Sequence, residues 1–416
     1  MDKAKPHAIP RGMYGEAFKR VKANGGIAGV DGQTIQEFEE DLDNNLYKLW
    51  NRMSSGSYFP KPVLRVNIPK PDGGVRPLGV PTVTDRVAQT VVKMCLEPGL
   101  EKQFHPDSYA YRPGRMAVQA VGVARKRCWR SDWVLDLDIK GFFDSIDHEL
   151  MMRAVRKHTE EKWVLLYIER WLTAPVMVED GRCEERGKGT PQGGVISPLL
   201  ANLFLHYAFD MWMKGNQPDI PFERYADDVI CHCKSEAQAK WLLSLVEKRL
   251  AFCRLELNRE KTSIVYCMDD NRRGDYPICK FDFLGFTFRP RRAKNRQGKY
   301  FVSFLPAVSN KAAKAMRQYI RKWRLHLRSD KELGDLARMT NPVTQGWLNY
   351  YGCYYKSALY PVFRQFESIL VRWAMRKYKR LRGQRTKAGC WVRGIYCRQP
   401  GLFAHWRALG LVAAGR

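Results

Sequence analysis

Adjacent carboxylates at a reverse turn are the residues of this chain best suited to chemistry. Tyr225-Ala226-Asp227-Asp228 lies between two short apolar runs, Phe222 to Tyr225 and Val229 to Cys233, which read as strands and put both acids at the tip of a hairpin. Neighbouring carboxylates repel, and a divalent cation shared with a third carboxylate is the common compensation. On these four residues alone a solvated turn and a metal site are both open. A third acid is at hand in Trp133-Val134-Leu135-Asp136-Leu137-Asp138-Ile139, a buried-looking strand with Asp136 and Asp138 on one face. Acids inside an apolar strand are costly unless paired or metal-bound. Asp144, in Gly141-Phe142-Phe143-Asp144, reads as a turn or capping residue, and Asp147 as the cap of the next helix. Lys70 and Arg76 flank the turn signal Pro71-Asp72-Gly73-Gly74 after the alternating run Val63 to Ile68. Two cations on the arms of a tight hairpin can clamp a triphosphate or can be ordinary surface charge. The arginines of Arg112-Pro113-Gly114-Arg115 are open in the same way, phosphate contacts or solvated.

The elements that must position these groups alternate between helix and strand. Helical patterns cover Asp85 to Glu97, Glu160 to Leu172, Leu199 to Trp212 and Glu236 to Cys253, the third entered through the loop Gly189 to Pro198. A strand-like Leu255 to Leu257 and a hairpin edge at Phe281 to Phe286 follow. This pattern predicts an α+β fold, an antiparallel sheet backed by helices. Beyond Pro290 the chain turns to basic helices. Asn310 is expected to cap one in which Ala313, Met316, Ile320, Trp323 and Leu327 form a core-facing seam. Beside the seam Lys314, Arg317, Arg321, Arg324 and Arg328 repeat the same steps with no acid among them, which favours a nucleic-acid backbone groove over a solvated face. Trp347, Tyr350, Tyr351, Tyr354 and Tyr355 read as core rather than stacking platforms.

At 416 residues the chain predicts two to four domains. Its formal charge of +28 is concentrated: Arg289 to Arg416 holds 29 Lys and Arg against 4 Asp and Glu. A basic block interleaved with Trp, Tyr and Phe is the footprint of a polyanion partner. The 11 cysteines make no paired C-x-x-C framework, which argues against a zinc module and fits reduced thiols in a cytoplasmic protein. Neither the polar start nor the interrupted apolar stretch Val195 to Phe209 reads as a signal peptide or membrane span, so no membrane partner is expected.

Carboxylates, a cationic hairpin and a basic groove together suit phosphoryl transfer, where two divalent ions about 4 Å apart activate a primer hydroxyl and stabilise leaving pyrophosphate. The sequence resembles the group II intron-encoded reverse transcriptase and maturase family over nearly its whole length. The resemblance runs through Gly25 to Gly32, Ile68 to Arg76, Asp138 to Asp144, Thr190 to Pro198, Arg224 to Asp228, Leu257 to Thr262, Phe283 to Phe286 and Gly346 to Tyr351. Eight blocks in family order are far more specific than the Asp-Asp turn.

The resemblance implies a right-hand polymerase with fingers at 1–130 (parts of 150–190 packing against them), a palm with an antiparallel ferredoxin-like sheet at 131–290, a helical thumb and maturase domain at 291–365, and a small basic DNA-binding segment at 366–416. It implies Asp138 and Asp227 as principal metal ligands, with Asp228 supporting and the backbone carbonyl of Ile139 completing a site for two Mg2+ ions, which Mn2+ can replace. Lys70 and Arg76 match residues on the incoming dNTP, Phe143 the bulky residue that rejects a ribose 2′ hydroxyl, Gln192 a neighbour of the nucleotide, and Lys261 a proton donor to pyrophosphate. Phe283, Leu284, Gly285 and Phe286 match a primer grip. Asp136 matches no family ligand. Implied partners are an RNA template, a DNA or RNA primer, intron RNA and a DNA target. No endonuclease module with Cys pairs and His follows, as in the endonuclease-lacking bacterial lineages, so priming is expected from elsewhere, such as a replication fork. Two neighbouring readings are a reverse transcriptase recruited to host defence or DNA repair and a splicing-only RNA-binding cofactor.

Overall fold

A computed structural model describes residues 6–69 and 74–409. Lys70, expected from the sequence on one arm of a cationic hairpin, lies outside the described residues. The strands are β1 (Val63–Pro69), β2 (Val75–Val80), β3 (Trp133–Asp138), β4 (Val176–Met177), β5 (Cys183–Glu184) and β6 (Phe222–Tyr225). They continue as β7 (Asp228–Cys233), β8 (Ser263–Tyr266), β9 (Phe281–Phe283), β10 (Phe286–Lys294) and β11 (Tyr300–Val308). Two compact units divide the chain: one holds residues 1–116 and 135–263, the other 117–134 and 264–416.

In the first unit β1 pairs antiparallel with β2 and parallel with β4, giving the order β2-β1-β4-β5. Ile68 faces Arg76 across the hairpin. β6 pairs antiparallel with β7, and β3 lies on the other side of β7. β7 is buried on both faces from Val229 to Cys233, and in β3 only Asp136 and Asp138, on one face, depart from full burial, so that face of the sheet carries the acids. The helix Val83–Glu101 is buried along much of its length, from Val83 to Leu100, and is started by Thr82, whose hydroxyl accepts from the Asp85 amide. Asp147 caps the helix His148–Arg156 through the Leu150 amide, as its sequence position predicts. Asp144 sits inside the one-turn helix Phe142–Ser145 rather than at a cap.

Two expectations fail here for local reasons. Leu199 to Trp212 is not one regular helix: Ser197–Leu205 passes through a π-turn at His206–Asp210 before Met211–Asn216. Leu255 to Leu257 is not a strand but contributes one bridge, Leu257 opposite Ile139.

The second unit joins the sheet β11-β10-β9 to a helical core running from Val308 to Trp406. The sequence boundary at 365 falls inside the helix Tyr360–Lys377 and within that continuous core. Ser309, not Asn310, caps the helix Asn310–Lys322, its hydroxyl accepting from the Ala312 amide. That helix ends before Arg324, which takes a left-handed φ of 47° and turns the chain into a short 3-10 segment. The change of register buries Leu325 and exposes Leu327, so Leu327 leaves the seam, and Arg324 and Arg328 leave the cationic stripe. Among the described residues no helix is long and apolar enough to cross a membrane.

Candidate active site

Asp138 ends β3, while Asp227 and Asp228 sit at the β6–β7 junction, where Tyr225 faces Asp228 in register. The turn is therefore Ala226-Asp227, and Asp228 is already the first residue of β7. Ala226 adopts a φ of 59°, a left-handed conformation costing a residue with Cβ about 1–2 kcal/mol. The Asp138 carbonyl accepts from the Asn258 amide at 2.8 Å, and the Lys140 amide donates to the Glu256 carbonyl at 2.9 Å. These bonds flank Ile139 without using its own N–H or C=O.

The acids sense one another. Burial, then Asp227 and Asp138, push the Asp228 carboxyl up to about 7. Burial raises Asp227 as well, with Asp138 adding to the effect and Arg76 and Lys261 opposing it. Lys261 Nζ stands 3.5 Å from Asp138 Oδ2 on a largely exposed side chain. Among the described residues no three His, Cys, Asp or Glu side chains close into a ready-made metal cage. Clustered carboxylates without a counter-ion splay and resist ionising, and a cation among them reverses both effects. The oxygen-only donor set suits a hard divalent ion.

Around the acids, Phe143 is half-buried and stacks edge-on against Tyr111, 6.5 Å between ring centres. Gln192 lies in a loop fixed at several points. Its carbonyl accepts from the Gly79 amide at 2.7 Å, Thr190 donates from its amide to the Phe143 carbonyl, and Gln89 accepts from the Val195 amide. Gly193, at φ 118°, lies where a Cβ would come within 2.5 Å of the Gly79 carbonyl oxygen, so only glycine lets this loop approach β2. Asp138, Ile139, Phe143, Gln192, Asp227, Asp228, Lys261 and Arg76 all belong to the first unit.

Sequence reasoning missed three contributors. Tyr111, at φ 57°, is half-exposed, and burial and then the nearby Asp227 charge raise its phenol. Gln89 braces the Gln192 loop from inside a helix. Arg224 is fully buried and paired with Asp210 through two bonds of 2.6 and 2.7 Å. A charged residue inside an apolar strand was the available signal for Arg224, because such a group requires a partner. Arg112 is neither solvated nor free for phosphate: it is buried, doubly bonded to Glu101, and donates to the His105 and Ser108 carbonyls.

The remaining candidates lie in the second unit. Leu284 and Gly285, at φ 51° and 79°, make a two-residue turn in which Phe283 faces Phe286. Phe283 and Phe286 are wholly buried, so only Leu284 and Gly285 are partly open. The helix Leu333–Tyr351 and the chain just after it supply Tyr350, Tyr351 and Tyr354, whose rings pack on Phe286 at 5.1–5.8 Å. These rings are half-buried rather than fully core, and they form the bed of this turn. Lys314, Arg317 and Arg321 share the helix Asn310–Lys322, and Arg317 lines a cavity of about 830 Å³ with Lys280, Arg289, Arg291, Arg292 and Tyr355.

Residues 68–288 match the model of the reverse transcriptase (RNA-dependent DNA polymerase) family, which places the chain in that class of enzyme with its right-hand α+β fold. Residues 313–391 match the group II intron maturase-specific domain. Protein YkfC of Escherichia coli is 31% identical over 319 residues, 67% of this chain and 80% of that protein. The group II intron-encoded protein LtrA of Lactococcus lactis is 32% identical over 197 residues, 47% of this chain, and the chain covers 32% of its length. The chain belongs to the group II intron reverse transcriptase and maturase family.

Proposed function

We propose that Asp138, Asp227 and Asp228, with the carbonyl of Ile139, hold two divalent cations, Mg2+ or in its place Mn2+, for RNA-templated extension of a DNA or RNA primer by dNTPs. Bound there, the cations supply charge neutralisation for the primer hydroxyl and the departing pyrophosphate. Arg76, with Lys70, binds the triphosphate, and Gln192 orients the nucleotide from its braced loop. Phe143, held edge-on by Tyr111, excludes a ribose 2′ hydroxyl by filling its place. Lys261, already beside Asp138, delivers a proton to pyrophosphate. The Leu284-Gly285 turn guides the primer end, and Lys314, Arg317 and Arg321 follow the nucleic-acid backbone. The fingers and palm divide near residue 130 and the palm and thumb near 290; the basic segment after 365 continues the thumb's core, and the thumb and this segment bind intron RNA and a DNA target.

The observation carrying this reading is the convergence of Asp138, at the end of β3, with Asp227 and Asp228 at the junction of β6 and the neighbouring β7, where burial and then the nearby carboxylates push the Asp228 carboxyl up to about 7. That arrangement destabilises the empty site and favours a bound cation. Purified protein should extend a DNA primer on an RNA template in the presence of Mg2+, and chelation should stop it; no extension under any divalent ion would contradict the reading. Arg76→Ala should raise the dNTP KM roughly tenfold, the loss of one charge-assisted contact. An unchanged KM would remove Arg76 from the triphosphate site.

A further inference from the structure

The guanidinium of Arg224 is fully buried, and every one of its five N–H groups has an acceptor. Nε and Nη2 donate to the two carboxylate oxygens of Asp210 at 2.6 and 2.7 Å. Nη2 also donates to Ser108 Oγ at 2.8 Å, and Nη1 to Asn202 Oδ1 at 3.1 Å. The fifth bond, from Nη1, reaches the carbonyl of Ala226 at 3.2 Å, inside the turn that carries the acids. Ala226 is the residue there with positive φ, a conformation that persists only where surroundings over-determine it.

The partners come from separate segments. Asp210 closes the π-turn, an irregularity that recurs at functional sites because it re-aims one side chain out of helical register. Asn202 is oriented by donating its amide to the Ala110 carbonyl at 2.6 Å. The backbone of Arg224 is itself bracketed, accepting from the Tyr109 amide and donating to the Asp107 carbonyl, each at 2.9 Å. One guanidinium thus joins the acid turn, the irregular helix and the segment presenting Tyr111. Asp210 cancels its charge, so the turn is anchored without a net cation being added beside the three acids.

We infer that Arg224 and Asp210 are positioning residues for catalysis, a neutral buried strut that sets the backbone of the Ala226-Asp227 turn and through it the placing of Asp227 and Asp228. This rests on the metal-dependent polymerase reading above. A merely structural pair would affect folding and all substrates alike. A strut would affect turnover and cation binding while sparing template-primer affinity.

Arg224→Lys is the test, since it keeps one charge opposite Asp210 but cannot reproduce the five-bond fork. The expected result is a cooperative fold and unchanged template-primer Kd, with kcat lower by about a hundredfold, the scale of a misplacement near 1 Å. Mn2+ binding, followed by electron paramagnetic resonance without substrate, should weaken, and amide exchange across 226–229 should quicken. Wild-type kcat, Mn2+ binding and exchange in a folded Arg224→Lys protein would overturn the inference. If that variant does not fold, Ser108→Ala removes a single bond and leaves the ion pair; a severalfold drop in kcat and in Mn2+ affinity supports the strut, and no change in either overturns it. Should the wild type extend no primer at all, the polymerase reading fails, while Mn2+ binding and exchange still decide whether Arg224 sets the turn.

Discussion

The β6–β7 turn and the β9–β10 turn have the same size and are held by opposite means. Each has two residues between facing partners, Tyr225 with Asp228 and Phe283 with Phe286, and each forces a residue with a side chain to positive φ, Ala226 at 59° and Leu284 at 51°. In each a turn carbonyl takes one side-chain donor: the Arg224 guanidinium on Ala226 at 3.2 Å, the Tyr350 hydroxyl on Leu284 at 2.8 Å. Beneath the first lies a buried ion pair; beneath the second lie aromatic rings. A turn bearing one acid and followed at once by another needs a strong backbone anchor that leaves its negative field intact, which a neutralised arginine supplies. An uncharged turn needs shape alone, and packed rings supply that.

The sharpest way to break this contrast is to damage each bed. Asp210→Asn leaves the guanidinium half-matched in the interior and should cost about 3–5 kcal/mol of stability by urea unfolding, the range for a broken buried pair. Phe286→Ala should cost a similar ~3–5 kcal/mol by opening a cavity. The two should diverge in function, the first lowering kcat and the second weakening primer binding. If both lowered only the same parameter, the two turns would not have separate tasks.

A smaller effect concerns His206, 3.9 Å from Asp210. Burial lowers its imidazole to about 4, outweighing the nearby carboxylate. Between pH 6.5 and 4 the unfolded chain therefore takes up a proton that the folded ring refuses, so this group lowers stability as pH falls through that window. His206→Gln should flatten the decline over that range in pH-dependent unfolding; an unaltered slope would show that the ring titrates alike in both states. Smallest is Tyr350→Phe, which deletes one neutral hydrogen bond to Leu284 and should cost about 1 kcal/mol. Faster amide exchange confined to the β9–β10 turn is the measurement.

Much of this was legible in the chain because its signals were local. Alternation placed Asp138 at a strand end, the Phe222 and Val229 runs bracketed the acids, and Asp147 announced a cap. Where reasoning by period failed, a single backbone event had reset the register. Arg324 in a left-handed conformation ended the cationic stripe after Arg321, and the π-turn at His206–Asp210 broke an apparently continuous apolar helix. Buried polar partners were the least legible, since Arg224, Asp210, Asn202 and Ser108 lie up to 116 positions apart and no spacing rule joins them. Tyr111 was hidden for the same reason, its place being set by Arg112 and Glu101 rather than by any pattern around it.

The account stands most directly on Asp227. Single-turnover extension of a DNA primer on an RNA template by Asp227→Ala, at saturating Mg2+ and dNTP, should fall by about a thousandfold or more, beyond the loss of one oriented electrostatic group. Template-primer affinity and cooperative unfolding should stay at wild-type values. Extension by this folded variant at the wild-type rate would contradict the placement of catalysis at the β6–β7 turn.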